Sequence, residues 1–147
     1  MTTTFESAVK TINTNKKDIF NTLSDLRNVE KIKDRIPQDK VKEIKLDQDS
    51  IAFVVDPVGN LCLRIIEREE FKTIKFTAEK SPIDFLLWIQ LVETTDNETK
   101  LKVTLKADLN PMLKMMASKP LEQFINMLAD ALVTIPYTSE HTSTEIA

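Results

Sequence analysis

The chain has almost no glycine. Gly59 is the only one in 147 residues, so there is no glycine-rich loop to cradle a phosphate or a dinucleotide, and the Walker and Rossmann fingerprints are excluded. Cysteine also occurs once, as Cys62. That excludes an intrachain disulfide and a cysteine-rich metal site, and it suits a reducing compartment. The lone histidine, His141, falls in the C-terminal tail. The body of the chain therefore lacks the base of a Ser–His–Asp or Cys–His arrangement and lacks imidazole ligands. The acids show no metal-loop spacing, and neither a metal nor another cofactor is expected. Charge of one sign is not in excess: 20 lysines and arginines against 23 acids leave −3, which gives no general pull toward nucleic acid. No apolar run reaches the roughly 20 residues that span a bilayer, so stable membrane insertion is not expected. The opening MTTTFESAVKT has no basic-then-apolar leader, and the expected compartment is the cytoplasm.

What is present is ordinary for a globular domain: 41% hydrophobic and 29% charged residues, in a length that can bury a sizeable core. Residues 1–137 are read as one domain and residues 138–147 as a polar, disordered tail. The longest element is Asn110 to Ile135. Asn suits an N-cap, and the following Pro111 suits the first helical position, where its missing N–H is not needed. Leu121, Phe124, Ile125, Leu128, Leu132 and Ile135 recur at spacings of three and four and form one apolar stripe. Pro120 predicts a kink near Met116 to Lys119, with Ser118 as a local cap if the helix restarts there. Met112, Met115 and Met116 either fill irregular core space or line an adaptable cavity beside that kink.

Upstream, Phe5 to Ile12 reads as a strand with Phe5, Ser7 and Val9 on one face and Ala8 and Ile12 on the other. Lys16 to Leu26 and Asn28 to Ile36 read as short helices, the second stopped by Pro37. The period then changes to two. Val41–Asp47, Ile51–Asp56, Asn60–Phe71, Thr73–Lys80, Phe85–Thr94 and Lys100–Leu109 read as strands, with a hairpin turn at Asp56-Pro57-Val58-Gly59. Short turns between consecutive strands imply antiparallel pairing. An apolar sheet face must be covered, and only the Asn110–Ile135 helix is long enough. The expectation is an α+β fold: a seven-stranded antiparallel curved sheet wrapped around a long C-terminal helix, with two short helices after the first strand.

That order resembles the START-like superfamily with the helix-grip fold (the Bet v 1-like, SRPBCC group, which includes polyketide cyclase-like members). The residues that carry the likeness are Phe5-Glu6-Ser7-Ala8-Val9, the helix Asp18 to Leu26, Trp88-Ile89-Gln90-Leu91 and Lys119-Pro120-Leu121-Glu122. The resemblance implies a deep apolar cavity between sheet and helix. Its members bind lipids, sterols, polyketides or plant hormones; some are cyclases or hydrolases, and others bind proteins. Fold alone does not choose among these.

The reading favoured from the residues is non-catalytic binding of a hydrophobic small molecule, such as a lipid, isoprenoid or polyketide-like compound. Its expected lining from the sheet is Phe53, Leu63, Ile65, Phe76, Phe85, Leu87, Ile89 and Leu105. From the helix come Met115, Met116 and Phe124. No catalytic residue is assigned. For a cyclase or dehydratase, the candidates are Glu67 and Glu93, which share the concave parity near strand ends. There a carboxyl is either a general acid or base with a raised pKa or simply solvated. Arg64, Arg68 and Gln90 have the outward parity. Tyr137 either caps a pocket with its hydroxyl or anchors the chain end. Cys62 reads as a small packed hydrophobe. Trp88 and Leu86 face outward beside Lys75, Lys102 and Lys106, which either cover the indole or leave a surface for a homodimer or another partner. The interleaved charges of residues 27 to 45 read as a solvated face.

Overall fold

The computed structural model describes residues 2–28, 30, 41–55, 58–81, 83–135 and 137. Among these, eight strands and two helices form in the order β1 (Thr2–Glu6), β2 (Lys10–Ile12), α1 (Lys16–Leu23), β3 (Val41–Leu46), β4 (Ser50–Val55), β5 (Gly59–Glu69), β6 (Thr73–Ala78), β7 (Asp84–Thr95), β8 (Glu98–Asp108) and α2 (Pro111–Val133). The strands make one antiparallel sheet in the order β1-β8-β7-β6-β5-β4-β3, with β2 also on β8. The sheet is curved and the long helix covers it, as the sequence pattern predicts. Most of the expected helix Asn28–Ile36, the first half of the hairpin turn at residues 56–57 and the tail beyond Tyr137 lie outside the described residues.

The predicted first strand is two pieces on one partner, and a serine separates them. The Ser7 backbone donates to the Val103 carbonyl, and the Val103 N–H donates to Ser7 Oγ, both at 2.9 Å. The hydroxyl thus stands where a carbonyl would continue the ladder. The chain steps out through Ala8 and the exposed Val9 and rejoins β8 at Lys10. This step resets the parity: Phe5 and Ile12, which strict alternation puts on opposite faces, are both buried.

Helix α1 starts because the Asn15 side chain accepts the Asp18 N–H at 2.9 Å, a standard N-cap. Glu93 of β7 accepts the Lys16 N–H at 3.2 Å, placing a carboxylate where the helix dipole favours one. Ile19, Phe20 and Leu23 are the buried side. The helix ends at Leu23, shorter than the expected Leu26, because the Ser24 hydroxyl and N–H both turn back to the Phe20 carbonyl, at 2.7 and 2.9 Å.

Bulges set the curvature. Register shifts occur between Lys42 and Lys45, Ile65 and Glu67, and Glu93 and Thr95; each adds local twist and bends its strand. The first is at the sheet edge, where Glu43 has φ 52°. Such an irregular, charged edge resists pairing with another chain. Gly59, at φ 109°, opens β5 opposite Val55. This is a positive φ that glycine adopts without a Cβ clash.

Helix α2 is capped as expected, with Asn110 Oδ1 accepting the Leu113 N–H at 2.8 Å. It runs unbroken through Pro120. Ser118 does not cap a restarted helix; its hydroxyl donates to the Lys114 carbonyl at 2.6 Å, one turn back. The second half is tied to the step between β1 and β2: Asn126 Oδ1 accepts the Ala8 N–H at 3.2 Å, and Asp130 pairs with Lys10.

Candidate functional site

The concave face of the sheet is built row by row from the strand registers. Phe5, Leu105, Leu87, Phe76 and Ile65 stand opposite one another across β1, β8, β7, β6 and β5. On one side of this row Val103 faces Ile89, which faces Ile74; on the other, Ala107 faces Phe85. Further along the sheet, Leu63 faces Ala78 and Leu61 faces Phe53. All these residues are buried except the half-buried Ala78. Helix α2 closes the face with Ala117, Leu121, Phe124, Ile125 and Leu132. Phe124 lies against Phe53 with ring centroids 4.8 Å apart and planes 26° apart. Phe53, Leu63, Ile65, Phe76, Phe85, Leu87, Ile89, Leu105 and Phe124 thus share one apolar core.

Two expected lining residues are elsewhere. Met115 is 87% exposed and Met116 49%, with Met112 at 71%. The reason is helical phase: at 100° per residue the three methionines share a side opposite Leu113, Ala117 and Leu121, which face the sheet. They neither fill the core nor line an interior space.

The charged candidates serve the rim. The bulge after Ile65 flips the parity of β5, so Glu67 faces outward, in a hollow of about 170 Å³ with Thr73, Lys75, Trp88 and Gln90. The same flip swings Arg68 inward toward the end of α1. Its guanidinium donates to the Ser24 carbonyl at 2.8 and 3.1 Å and pairs with Asp49, which suits a cation at a helix C-terminus. Simple alternation had put Arg68 outward; the bulge was the missing information. Glu93 is occupied at the start of α1. Arg64 does face outward and pairs with Glu79 at 2.9 Å. Cys62 is half-buried, with its thiol 3.8 Å from Glu79; burial first, and then the Glu79 carboxylate, pushes the thiol up from its usual range. This is the opposite of what a reactive cysteine needs. Tyr137 is buried and its hydroxyl donates to the Leu132 carbonyl at 2.6 Å, so it anchors the chain end to α2. Burial holds that hydroxyl far above the usual phenol range.

Buried threonine hydroxyls are paired. Thr99 donates to the Thr14 carbonyl at 2.7 Å and Thr104 to Gln90 at 2.8 Å. Thr3 Oγ1 is the exception among the described residues, buried without a partner beside Ala107. On the convex face, Lys75 and Lys106 stand 5.6 and 5.7 Å from the Trp88 ring centre, while Lys102 pairs with Glu6. Two further hollows are superficial: about 530 Å³ at the strand ends around Thr2, Asp84 and Asp108, and about 390 Å³ beside Glu122, Asn126 and Asp130. Among the described residues, no group of three or more His, Cys, Asp or Glu is placed to hold a metal, and no helix is long and apolar enough to cross a membrane.

No family model matches the sequence, and no curated protein matches it. Solved structures do match in fold. Norcoclaurine synthase from Thalictrum flavum, a point mutant in complex with a transition-state analogue, superposes with a TM-score of 0.69 at 17% identity, covering 97% of this chain and 98% of that one. A START superfamily protein from Mycobacterium smegmatis matches with a TM-score of 0.59 at 15% identity over 90% of this chain and 94% of that one. The Mll3558 protein from Rhizobium loti gives 0.61 at 16%, over 90% and 96%. The chain therefore has the helix-grip fold of these START and Bet v 1-like structures. At these identities the likeness is one of fold, and the fold carries both binders and enzymes.

Proposed function

We propose that the protein binds a hydrophobic small molecule between the sheet and α2 and performs no chemistry on it. The observation that carries this reading is the concave face itself, apolar in every row from β4 to β8. The acids that alternation had put on this face, Glu67 and Glu93, are turned outward and engaged with α1 respectively. An acid–base reaction needs a titratable group within hydrogen-bond reach of the substrate. Binding by burial needs only apolar area, at about 0.8 kcal/mol per CH₂ taken from water. The occupant displaces Phe124 from Phe53 and enters past the first half of α2, whose sheet-facing side has only Ala117 buried and Leu113 partly buried.

The test is native mass spectrometry of protein purified without detergent, followed by organic extraction and by titration with an environment-sensitive fluorescent fatty acid. We expect one apolar molecule per chain, or saturable uptake of the probe at one site. Leu87→Trp, which fills the middle of the concave row, is expected to abolish probe uptake while the far-ultraviolet spectrum stays native. Probe uptake unchanged in a folded Leu87→Trp protein would place the ligand elsewhere and end this reading.

A further inference from the structure

The outward side of α2 changes character at Pro120. Beyond it, the solvent-facing residues are Glu122, Gln123, Asn126 and Asp130, as expected of a helix covering a sheet. Before it, the same side carries Met112, Met115 and Met116, exposed by 71%, 87% and 49%, followed one turn on by Lys119. Lys114 is exposed on the flank of the helix, about 100° round from Met115. Residues 110 to 121, NPMLKMMASKPL, include two lysines and no acid. Neither lysine has an ion-pair partner among the described residues, and no side-chain bond from residues 111–121 reaches the sheet. Three large thioether side chains held in water on one helical side are costly, and a contiguous exposed apolar patch marks an interaction site.

We propose that this Met–Lys side of α2 docks on the surface of an anionic lipid bilayer. The chemistry fits at both levels. The flexible, polarisable methionines suit the disordered boundary between headgroups and acyl chains. Lysines flanking an apolar side are attracted to an anionic leaflet and keep their ammonium groups at headgroup level while their stems lie in the apolar zone. The charge division orients the molecule: the cationic first half meets the lipid, and Glu122 and Asp130 of the second half are held away from it. A folded protein partner or a second copy of this chain would need an acidic, shape-matched surface. The acidic outer side of the second half of α2 lies on the same helix, so a second copy meeting it there would pack antiparallel, an outcome that the test below reads directly. The patch is confined to the helix, since the neighbouring strand ends carry both signs, with Lys106 near Asp84 and Asp108. The proposal is independent of what the interior holds, because docking uses side chains that point away from it.

The experiment is co-sedimentation of the purified chain with vesicles of phosphatidylcholine alone and of phosphatidylcholine mixed with phosphatidylglycerol, at low and high salt. We expect partition onto the mixed vesicles, weakened by salt, and little onto phosphatidylcholine alone. Lys114→Gln and Lys119→Gln are each expected to weaken it about fivefold, and Met115→Glu by about tenfold or more. Glu122→Gln, two residues past the boundary, is expected not to weaken it. All four positions are exposed, and an unchanged unfolding midpoint in each variant confirms an intact fold. The proposal is overturned if the mixed vesicles capture no protein. It also fails if Met115→Glu partitions like the parent, or if sedimentation equilibrium shows a dimer that Met115→Glu dissociates, since a second copy then covers the patch. Vesicle binding by protein that carries no extractable molecule and takes up no fluorescent fatty acid leaves this proposal standing while removing the one above.

Discussion

Single residues decide the features that strict alternation misses. Ser7 and the bulge after Ile65 each add one step to a strand, and each sends the residues beyond to the opposite face. That is why Ile12 is inside, Glu67 outside and Arg68 turned toward α1. Nothing in the residue types flags these steps, because a bulge depends on the partner strand as much as on its own sequence. Tyr137 shows a different kind of residue-scale effect. It is the chain's only tyrosine, and burial raises its hydroxyl's pKa in the folded state. The folded chain therefore keeps a proton that the unfolded chain loses above about pH 10. A group with a raised folded pKa contributes its full stability below the unfolded pKa, and the contribution drains away as pH rises beyond it. The stability of the protein is therefore expected to fall above about pH 10, and tyrosinate absorbance is expected to appear together with unfolding rather than before it. Tyr137→Phe should remove this alkaline component and, by deleting the bond to the Leu132 carbonyl, cost about 1 kcal/mol at neutral pH. Tyrosinate that titrates in a still-folded protein would refute the burial argument.

At the scale of elements, α2 was the most legible part of the chain. Asn110-Pro111 marked its start and the spacing from Leu121 to Leu132 marked its buried side, because capping and periodicity are local rules. The effect of Pro120 was less legible. A proline removes one intrahelical bond, and whether the helix then breaks depends on what else holds the two sides. Here the second half is held by Leu121, Phe124, Ile125 and Leu132 in the core, and by Asn126 and Asp130 at the step between β1 and β2. The first half rests on Leu113 and Ala117 and on its own cap. Local opening follows buried contact. Amides of residues 114 to 119 are therefore expected to exchange at least about tenfold faster than those of residues 124 to 132. Asn110→Ala should widen that gap while costing about 1 kcal/mol or less in global stability. Equal protection of both halves would show that α2 opens only as a unit, and would remove the access route past its first half.

For the whole molecule, the sequence pattern was enough to predict a sheet wrapped on a helix, since alternation in six strands left one apolar face and one element long enough to cover it. How much room remains inside was not legible, because it depends on how rings from distant strands and the helix meet. The Phe53–Phe124 stack is that meeting point. Removing one ring measures the packing directly. A core residue cut to alanine costs the transfer energy of the lost atoms plus a further amount for the cavity left behind. If the two rings fill the space between β4 and α2, Phe124→Ala should lower unfolding free energy by about 3–5 kcal/mol. The variant should then regain stability when a small aromatic such as benzene is added, because a ligand that binds only the folded state stabilises it in proportion to its occupancy. If Phe124 instead borders open space in solution, the cavity component is already present in the parent. The loss then falls to about 2 kcal/mol, the transfer energy of the side chain alone, and added aromatic stabilises parent and variant alike. Denaturant unfolding of both proteins with and without the aromatic separates these outcomes. The second is the one that a standing pocket between sheet and helix requires, whereas a pocket made only when the ligand arrives requires the first.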